Sequence, residues 1–189
     1  MAVVYVTAGH HDEEVRLTLE AATDIANALM DTPADGVDIR RMLADHGFTR
    51  TSDAPETSIR RVEERMGTLL PLLRTLPGGD VDHAVSWVNT ELRSIQVEPW
   101  LIAHHGAPLH IHWTRASSTF DDQVMADMLM AIAQELVDHG TDRFGVCGAD
   151  DCEHLFYDAT RNRSRRFCAD PRCASRTHTA QYRARQRQR

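Results

Sequence analysis

The sequence predicts an α+β fold, with a predominantly helical N-terminal domain over residues 1–140 and a small C-terminal module over residues 141–189. Three observations support this prediction. Apolar residues recur at helical spacing through most of the first part. A short stretch near residue 100 is instead rich in β-branched and aromatic residues around a glycine, which indicates a small β-hairpin. All four cysteines lie in the last part of the chain.

The first part of the chain is predicted to form one strand and four helices. Residues 3–7 (VVYVT) are β-branched and aromatic, which is typical of a short strand. Apolar stripes separated by glycine and proline breakers then predict helices at about 14–30, 37–46, 55–76 and 81–95. Asp80 is the expected N-cap of the last of these. Pro71 lies inside the third helix and is expected to kink or split it.

A hairpin pattern then interrupts the helices. The segment VEPWLIAHHGAPLHIHWTR predicts two strands at about 98–104 and 108–114 with a glycine in the turn. A further helix is expected to start at Asp121 or Asp122 and to end before Gly140. Its predicted inward face consists of Val124, Met128, Leu129, Ile132, Leu136 and Val137.

Charge is distributed unevenly along the chain. Residues 160–189 hold ten arginines and one acid, Asp170, and therefore carry +9. The net charge is −7, so the other 159 residues carry −16. An acidic body with a basic tail is typical of proteins that have a nucleic-acid-binding appendage. The chain contains no lysine, so the number of arginines alone does not indicate that each one contacts a partner.

The cysteines form two close pairs. Cys147 and Cys152 have the spacing C-x4-C, Cys168 and Cys173 repeat it, and fifteen residues separate the pairs. This arrangement predicts one tetrahedral Zn²⁺ site with four thiolate ligands. Such a site has no open position for water or substrate, so the ion is expected to be structural. Two disulfides are the alternative, which is disfavoured because the N-terminus lacks a signal-peptide pattern and cytosolic thiols stay reduced.

Arginines surround the cysteines and continue beyond them. A helix expected over residues 174–187 places Arg176, Arg183 and Arg187 on one face, which suits contact with phosphates. Additional DNA contacts are predicted for Arg161, Arg163, Arg165 and Arg166. Three arginines have an alternative role in offsetting the formal charge of −2 on a zinc ion with four thiolates. These are Arg165, Arg166 and Arg172. The alternative for the tail is a solvated, frayed segment.

Other residues of the C-terminal module form an ordered pattern between and after the cysteines. They are Phe156, Asp158, Thr160, Asn162, Arg165, Arg166, Cys168 and Arg176. This pattern resembles the CGNR zinc finger found at the C-terminus of a family of bacterial transcription regulators. Ala174 and Ser175 stand where that family has the glycine and asparagine of the C-G-N-R motif, whereas its arginine is retained.

The resemblance also extends to the N-terminal domain, through the opening helix that ends TDIANAL and the helices and hairpin that follow. It implies a DNA-binding transcription regulator, often described as stress-induced, with a ligand-sensing N-terminal domain. The expected partners are double-stranded DNA, a small-molecule effector and a second copy of the chain. No apolar run approaches the roughly 18 residues of a membrane span. A cytoplasmic location without a membrane partner is therefore expected.

Histidines and tryptophans cluster around the predicted hairpin. His110 and His112 fall on one face of a strand at a spacing that suits metal binding, although a polar sheet face is the alternative. Trp100 and Trp113 are expected in the core. Together with the two histidines they are also the candidate lining of an effector pocket.

The sequence contains no phosphate-binding glycine loop, nucleophile elbow or catalytic triad, so no enzymatic activity is expected. Two alternatives to a DNA-binding regulator remain open. One is an RNA-binding or protein-docking zinc module, although Tyr182 is the only aromatic residue of the tail available to stack on bases. The other is an enzyme with a pocket near the hairpin histidines.

Overall fold

A computed structural model describes residues 9–31, 36–102 and 109–187. The predicted strand at residues 3–7 lies outside these ranges. Within them, six α-helices and four short strands confirm the predicted α+β class with helices predominant. The helices are α1 (Gly9–Asp31), α2 (Ile39–Asp45), α3 (Glu56–Thr75), α4 (Val81–Ser94), α5 (Phe120–His139) and α6 (Pro171–Arg187). The strands are β1 (Trp100–Ile102), β2 (His110–His112), β3 (Phe144–Val146) and β4 (Leu155–Tyr157). No helix in the described ranges is both long and apolar enough to cross a membrane.

Side-chain caps fix the first residues of two helices. Asp80 caps α4 as predicted, since its carboxylate accepts a hydrogen bond from the N–H of Asp82. The hydroxyl of Thr119 accepts a hydrogen bond from the N–H of Asp122 in the same way. Helix α5 therefore begins at Phe120, just before the predicted position, because the threonine rather than an aspartate is the cap.

Helix α3 passes through Pro71 without a break, so the predicted split does not occur. Proline removes the hydrogen bond to the carbonyl four residues earlier, which here belongs to Gly67. Both residues are exposed, so that carbonyl lies on the solvent side of the helix, and the apolar stripe on the other side holds the two halves together.

Helices α1 and α5 form the centre of the N-terminal part, which we call the body (residues 9–140). Helix α1 packs against α2, α3 and α5, and helix α5 packs against α1, α3 and α4. Leu19 and Ile25 of α1 and Met128 and Ile132 of α5 are almost completely buried. The predicted hairpin is present as β1 and β2, which pair in antiparallel fashion with Trp100 opposite His112.

The inward face of α5 differs from the prediction at one position. Val137 is 83% exposed, so its prediction as an inward-facing residue is wrong. Each helical residue advances by about 100°, which places Val137 about 140° around the helix from Ile132. The polar Glu135 is buried on this helix instead, and it is 3% exposed.

The C-terminal module, which we call the finger (residues 141–187), shares its apolar core with the body. Strands β3 and β4 pair in antiparallel fashion, with Phe144 opposite Tyr157 and Val146 opposite Leu155. Phe144, Leu155 and Tyr157 are buried in the same apolar cluster as the helices of the body. The predicted boundary at residue 140 therefore falls between two elements that pack on a common core, and the division into two domains stays a prediction.

Buried polar contacts join the finger to α1 and α5. The amide of Asn27 binds both backbone groups of Leu155: its Nδ2 donates to the carbonyl at 2.9 Å, and its Oδ1 accepts from the N–H at 2.7 Å. The carboxylate of Glu135 accepts a hydrogen bond from the hydroxyl of Tyr157 at 2.9 Å and lies 3.7 Å from Nε of Arg143. These contacts fix the sheet of the finger against the two central helices of the body.

Candidate metal centre and nucleic-acid interface

Four cysteine sulfurs converge between the β3–β4 loop and the start of α6. Cys147 follows β3, Cys152 ends a turn in the same loop, Cys168 precedes α6, and Cys173 lies in the first turn of α6. All four Sγ atoms lie within 4.8 Å of one another. The Sγ–Sγ distance is 3.9 Å between Cys152 and Cys168 and 3.8 Å between Cys168 and Cys173.

These distances fit a zinc ion rather than disulfides. Four sulfurs at about 2.3 Å from a tetrahedral Zn²⁺ are about 3.8 Å apart, whereas the sulfurs of a disulfide are about 2.05 Å apart. All four cysteines are free, so the alternative of two disulfides is wrong. The cluster is a zinc-binding site for one structural ion with four thiolate ligands, as the cysteine spacing predicted.

The protonation of the thiols also favours a bound cation. Burial raises the pKa of Cys147, but hydrogen bonds from the backbone N–H groups of Cys168 and Ala149 outweigh this effect and lower it overall. Burial and the neighbouring sulfurs raise the pKa of Cys168. Thiolates this close repel one another, so a dication such as Zn²⁺ is needed to hold all four deprotonated.

Helix α6 starts three residues before the predicted helix, at Pro171. Proline suits the first position of a helix because it has no N–H to satisfy and its φ angle is already helical. Because of the earlier start, Cys173 lies in the first helical turn, where the helix dipole stabilises a thiolate.

The loop between β4 and Cys168 is built around Asp158, which is 4% exposed. Its Oδ1 accepts hydrogen bonds from the N–H and the hydroxyl of Thr160 at 2.8 and 2.6 Å, and its Oδ2 accepts one from the N–H of Arg165 at 2.8 Å. Burial raises the pKa of Asp158, but these hydrogen bonds lower it below its ordinary value overall. The ring of Phe156 lies between the backbone of Gly145 and the guanidinium of Arg165. The guanidinium carbon is 5.4 Å from the centroid of that ring. These contacts give a structural reason for the F-x-D-x-T pattern.

We expect Asp158→Ala to destabilise the zinc-loaded protein by about 1–3 kcal/mol, because two backbone N–H groups and a hydroxyl lose their acceptor. Urea unfolding followed by circular dichroism measures this change. Asp150→Ala, at an exposed position of the same module, is the control and should leave the midpoint nearly unchanged. Equal midpoints for the two variants would contradict the role assigned to Asp158.

Three of the arginines predicted to contact DNA have partners within the protein. Arg163 pairs with Asp142, and Arg165 donates to the backbone carbonyls of Tyr157 and Phe167 at 3.1 and 2.9 Å. Nη2 of Arg176 donates to Oδ1 of Asp151 at 3.0 Å and to Sγ of Cys173 at 3.4 Å. Arg176 is thus placed to offset the charge of the zinc centre, a role that the sequence suggested for other arginines.

The remaining four of these arginines are exposed and form no ion pair with any residue in the described ranges. They are Arg161, Arg166, Arg183 and Arg187. The last two lie on α6, which makes no extensive contact with any other described helix or strand. Every residue of α6 from His178 to its end is exposed, so this part of the helix projects into solvent.

A cavity of about 190 Å³ lies in the body between α1, α5 and β2. His110, His112 and Trp113 line it, whereas Trp100 does not. The indole N–H of Trp100 donates instead to the carbonyl of Thr114 at 2.7 Å. Trp113 packs against the core of the body while also facing the cavity. The structure thus brings three of the four residues of the candidate effector pocket to one cavity.

Sequence reasoning missed two acids on the inward side of α5. Asp127 lines the cavity, and Glu135 binds the finger. The sequence did contain a signal for the inward position of Asp127. This residue lies three residues after Val124 and four before Ala131, and therefore falls within the apolar stripe of the helix.

A comparison with protein families matches residues 143–186 to the CGNR zinc finger. The matched segment includes both strands of the finger, all four cysteines and nearly the whole of α6. A comparison with curated proteins found no match. The family match confirms the resemblance drawn from the residues around the cysteines. The C-terminal segment of the chain, residues 143–186, is therefore similar to the CGNR zinc fingers.

Proposed function

We propose that the protein is a DNA-binding transcription regulator. The zinc centre holds α6 by its first turn, α6 and the neighbouring arginines contact duplex DNA, and the body binds an effector or a second subunit. The proposal assigns no catalytic activity, since four thiolates leave the zinc ion no open position. The observation that carries it is a basic helix that is held at a metal centre by its first turn and is exposed from His178 to its end.

The charge of α6 supports contact with a polyanion. The helix contains five arginines and no acidic residue, whereas the chain as a whole is acidic. A helix that is polar on all sides gains little from packing on its own protein and is suited to a charged partner. An α-helix is 10–12 Å across with its side chains, which fits the major groove of about 12 Å. Tyr182 is the only aromatic residue of α6, which favours a duplex over a single strand.

The double variant Arg183→Ala and Arg187→Ala tests this proposal. We expect the zinc-loaded double variant to bind genomic DNA fragments about tenfold more weakly than the wild-type protein does. The slope of log K against log salt should fall by about 0.9 for each lost phosphate contact. Fluorescence anisotropy titrations at several salt concentrations measure both quantities.

The matched control changes the same net charge on the body. Arg60 and Arg93 are exposed and form no ion pair with the described residues, so Arg60→Ala with Arg93→Ala removes two charges far along the chain from the finger. Equal weakening by the control would assign the effect to overall charge rather than to α6. Absent or salt-insensitive binding by the wild-type protein would contradict the proposal. Tighter binding of single-stranded RNA than of duplex DNA would favour the RNA-binding alternative.

A further inference from the structure

The cavity of the body has an unusual charge for an apolar site. Glu14 of α1 and Asp127 of α5 both line it. Phe48, Trp113 and Phe120 supply aromatic surface. No arginine is among its described lining residues, so its permanent charges are negative.

Asp127 differs from the other buried acids of α5. Asp121 lies 3.5 Å from the guanidinium of Arg65, and Glu135 binds Tyr157. Asp127 forms no hydrogen bond or ion pair with any residue in the described ranges. Its side chain is only partly exposed, and it is a lining residue of the cavity. An acid inside the protein that has no partner among the described residues is available to a ligand that enters the cavity.

The energetic cost of burying the carboxylate of Asp127 without a partner appears in its pKa. Burial raises the pKa of Asp127 to about 7, and the nearby carboxylate of Glu14 adds to the increase. A positive charge placed in the cavity removes this penalty because it compensates the carboxylate for its lost hydration. A neutral ligand leaves the penalty in place, and an anion increases it.

A metal ion fits these residues poorly. In the part of the chain that the structure describes, the four cysteines are the one group of three or more ligands that lie close enough together to hold a metal. The carboxylates of the cavity therefore do not join His110 and His112 in such a group. A larger cation, with its charge at one end, spans the distance between the acidic and the aromatic walls.

We propose that this cavity binds a small organic cation, a protonated amine that carries one apolar ring. Its ammonium group faces Asp127 and Glu14, and its ring lies against Phe48, Trp113 and Phe120. A cavity of about 150 Å³ accommodates benzene, so about 190 Å³ is sufficient for a ring with a short amine substituent. This inference specifies the effector of the proposed function and does not depend on the contacts with DNA.

Three probes of similar size and different charge test the proposal: benzylamine, benzyl alcohol and benzoate. The full-length, zinc-loaded protein is titrated with each at pH 8 without DNA, by ligand-observed NMR and by tryptophan fluorescence. We expect benzylamine to bind at least about tenfold more tightly than either of the others, which corresponds to about 1.4 kcal/mol. Asp127→Asn should remove this preference by weakening benzylamine about tenfold and changing benzyl alcohol less than about twofold.

The pH dependence gives a second readout. Binding of benzylamine should weaken as the pH falls from 8 to 6, because protonation of Asp127 removes the charge that attracts it. Among the described lining residues, the other titratable groups that face the cavity are Glu14, His46, His110 and His112. Asp127→Asn separates the effect of Asp127 from theirs, since the variant retains the pH dependence that is due to the other groups.

Glu64→Gln is the charge control, because Glu64 is exposed on α3 and does not line the cavity. It should bind all three probes as the wild-type protein does. Binding of benzoate or benzyl alcohol as tight as that of benzylamine would overturn the proposal. Unchanged binding of benzylamine by Asp127→Asn would overturn it too, as would the absence of binding by all three probes at millimolar concentration. None of these outcomes alters the DNA titration, so a failure here is distinct from a failure of the proposed function.

Discussion

Cys173→Ser is expected to abolish high-affinity zinc binding, unfold the finger and lower the melting temperature of the whole chain. Three remaining thiolates no longer complete the tetrahedron, and structural zinc supplies about 10–16 kcal/mol of apparent binding free energy in small fingers. Among the described residues, the four cysteines share their apolar cluster with only two others, Ala149 and Phe167. The metal therefore replaces the core that this part of the chain lacks.

The effect should reach beyond the finger because the apolar core is shared. Phe144, Leu155 and Tyr157 belong to the buried cluster of the body, so unfolding of the finger exposes a side of α1 and α5. We expect the body to remain helical by circular dichroism but to melt at a lower temperature. Addition of a chelator to the wild-type protein should reproduce both changes.

Elemental analysis and thermal unfolding test this prediction together. The wild-type protein should contain one zinc ion per chain, and the serine variant should contain much less. Thr179→Ala, at an exposed position farther along α6, is the control and should retain both zinc and melting temperature. A serine variant with a full zinc ion and an unchanged melting temperature would show that the four cysteines do not form the site.

Asn27→Ala is expected to destabilise the protein by about 2–4 kcal/mol. The amide of Asn27 satisfies both the N–H and the C=O of Leu155, and all of these groups are buried. Each buried group that is left without a partner costs about 1–3 kcal/mol. Zinc should remain bound, because the cysteines lie on other elements.

Urea unfolding of zinc-loaded protein measures the loss. Asn89→Ala on α4 is the matched control, because Asn89 is exposed and the same side chain is removed from a helix. The control should change the free energy of unfolding by less than about 0.5 kcal/mol. A similarly small change for Asn27→Ala would show that this contact does not hold the finger to the body.

The parts of the structure that were predictable from the sequence depend on local spacing. Apolar periodicity predicted the helices of the body, since a buried stripe must recur at the helical repeat. The cysteine spacing predicted the zinc site because four thiolates at such intervals have few other uses. The predicted split of α3 at Pro71 was wrong, since the energetic cost of a proline inside a helix depends on whether its surroundings are open to water.

The contacts between distant elements were not predictable in this way. Strand β4 is 128 residues from Asn27 at Leu155 and 22 residues from Glu135 at Tyr157. Nothing in the local sequence around Asn27 or Glu135 indicates that this strand will lie against them. The arginines show the same limit. Arg165 is committed to backbone carbonyls and Arg183 projects into solvent, although both were predicted to contact DNA. Only the tertiary structure distinguishes an arginine that binds its own backbone from one that is free to contact a partner.

The two hydrogen bonds of Asn27 also protect the sheet of the finger from self-association. The sheet has only two strands, so the outer edge of β4 carries backbone groups that another chain can pair with. The side chain of Asn27 occupies that edge at Leu155, within the apolar sequence Leu155–Tyr157. An isolated fragment of residues 143–189 would present this edge uncovered. Helix α1 therefore acts as a cap against edge-to-edge aggregation, and a detached finger is expected to aggregate even when its zinc ion is bound.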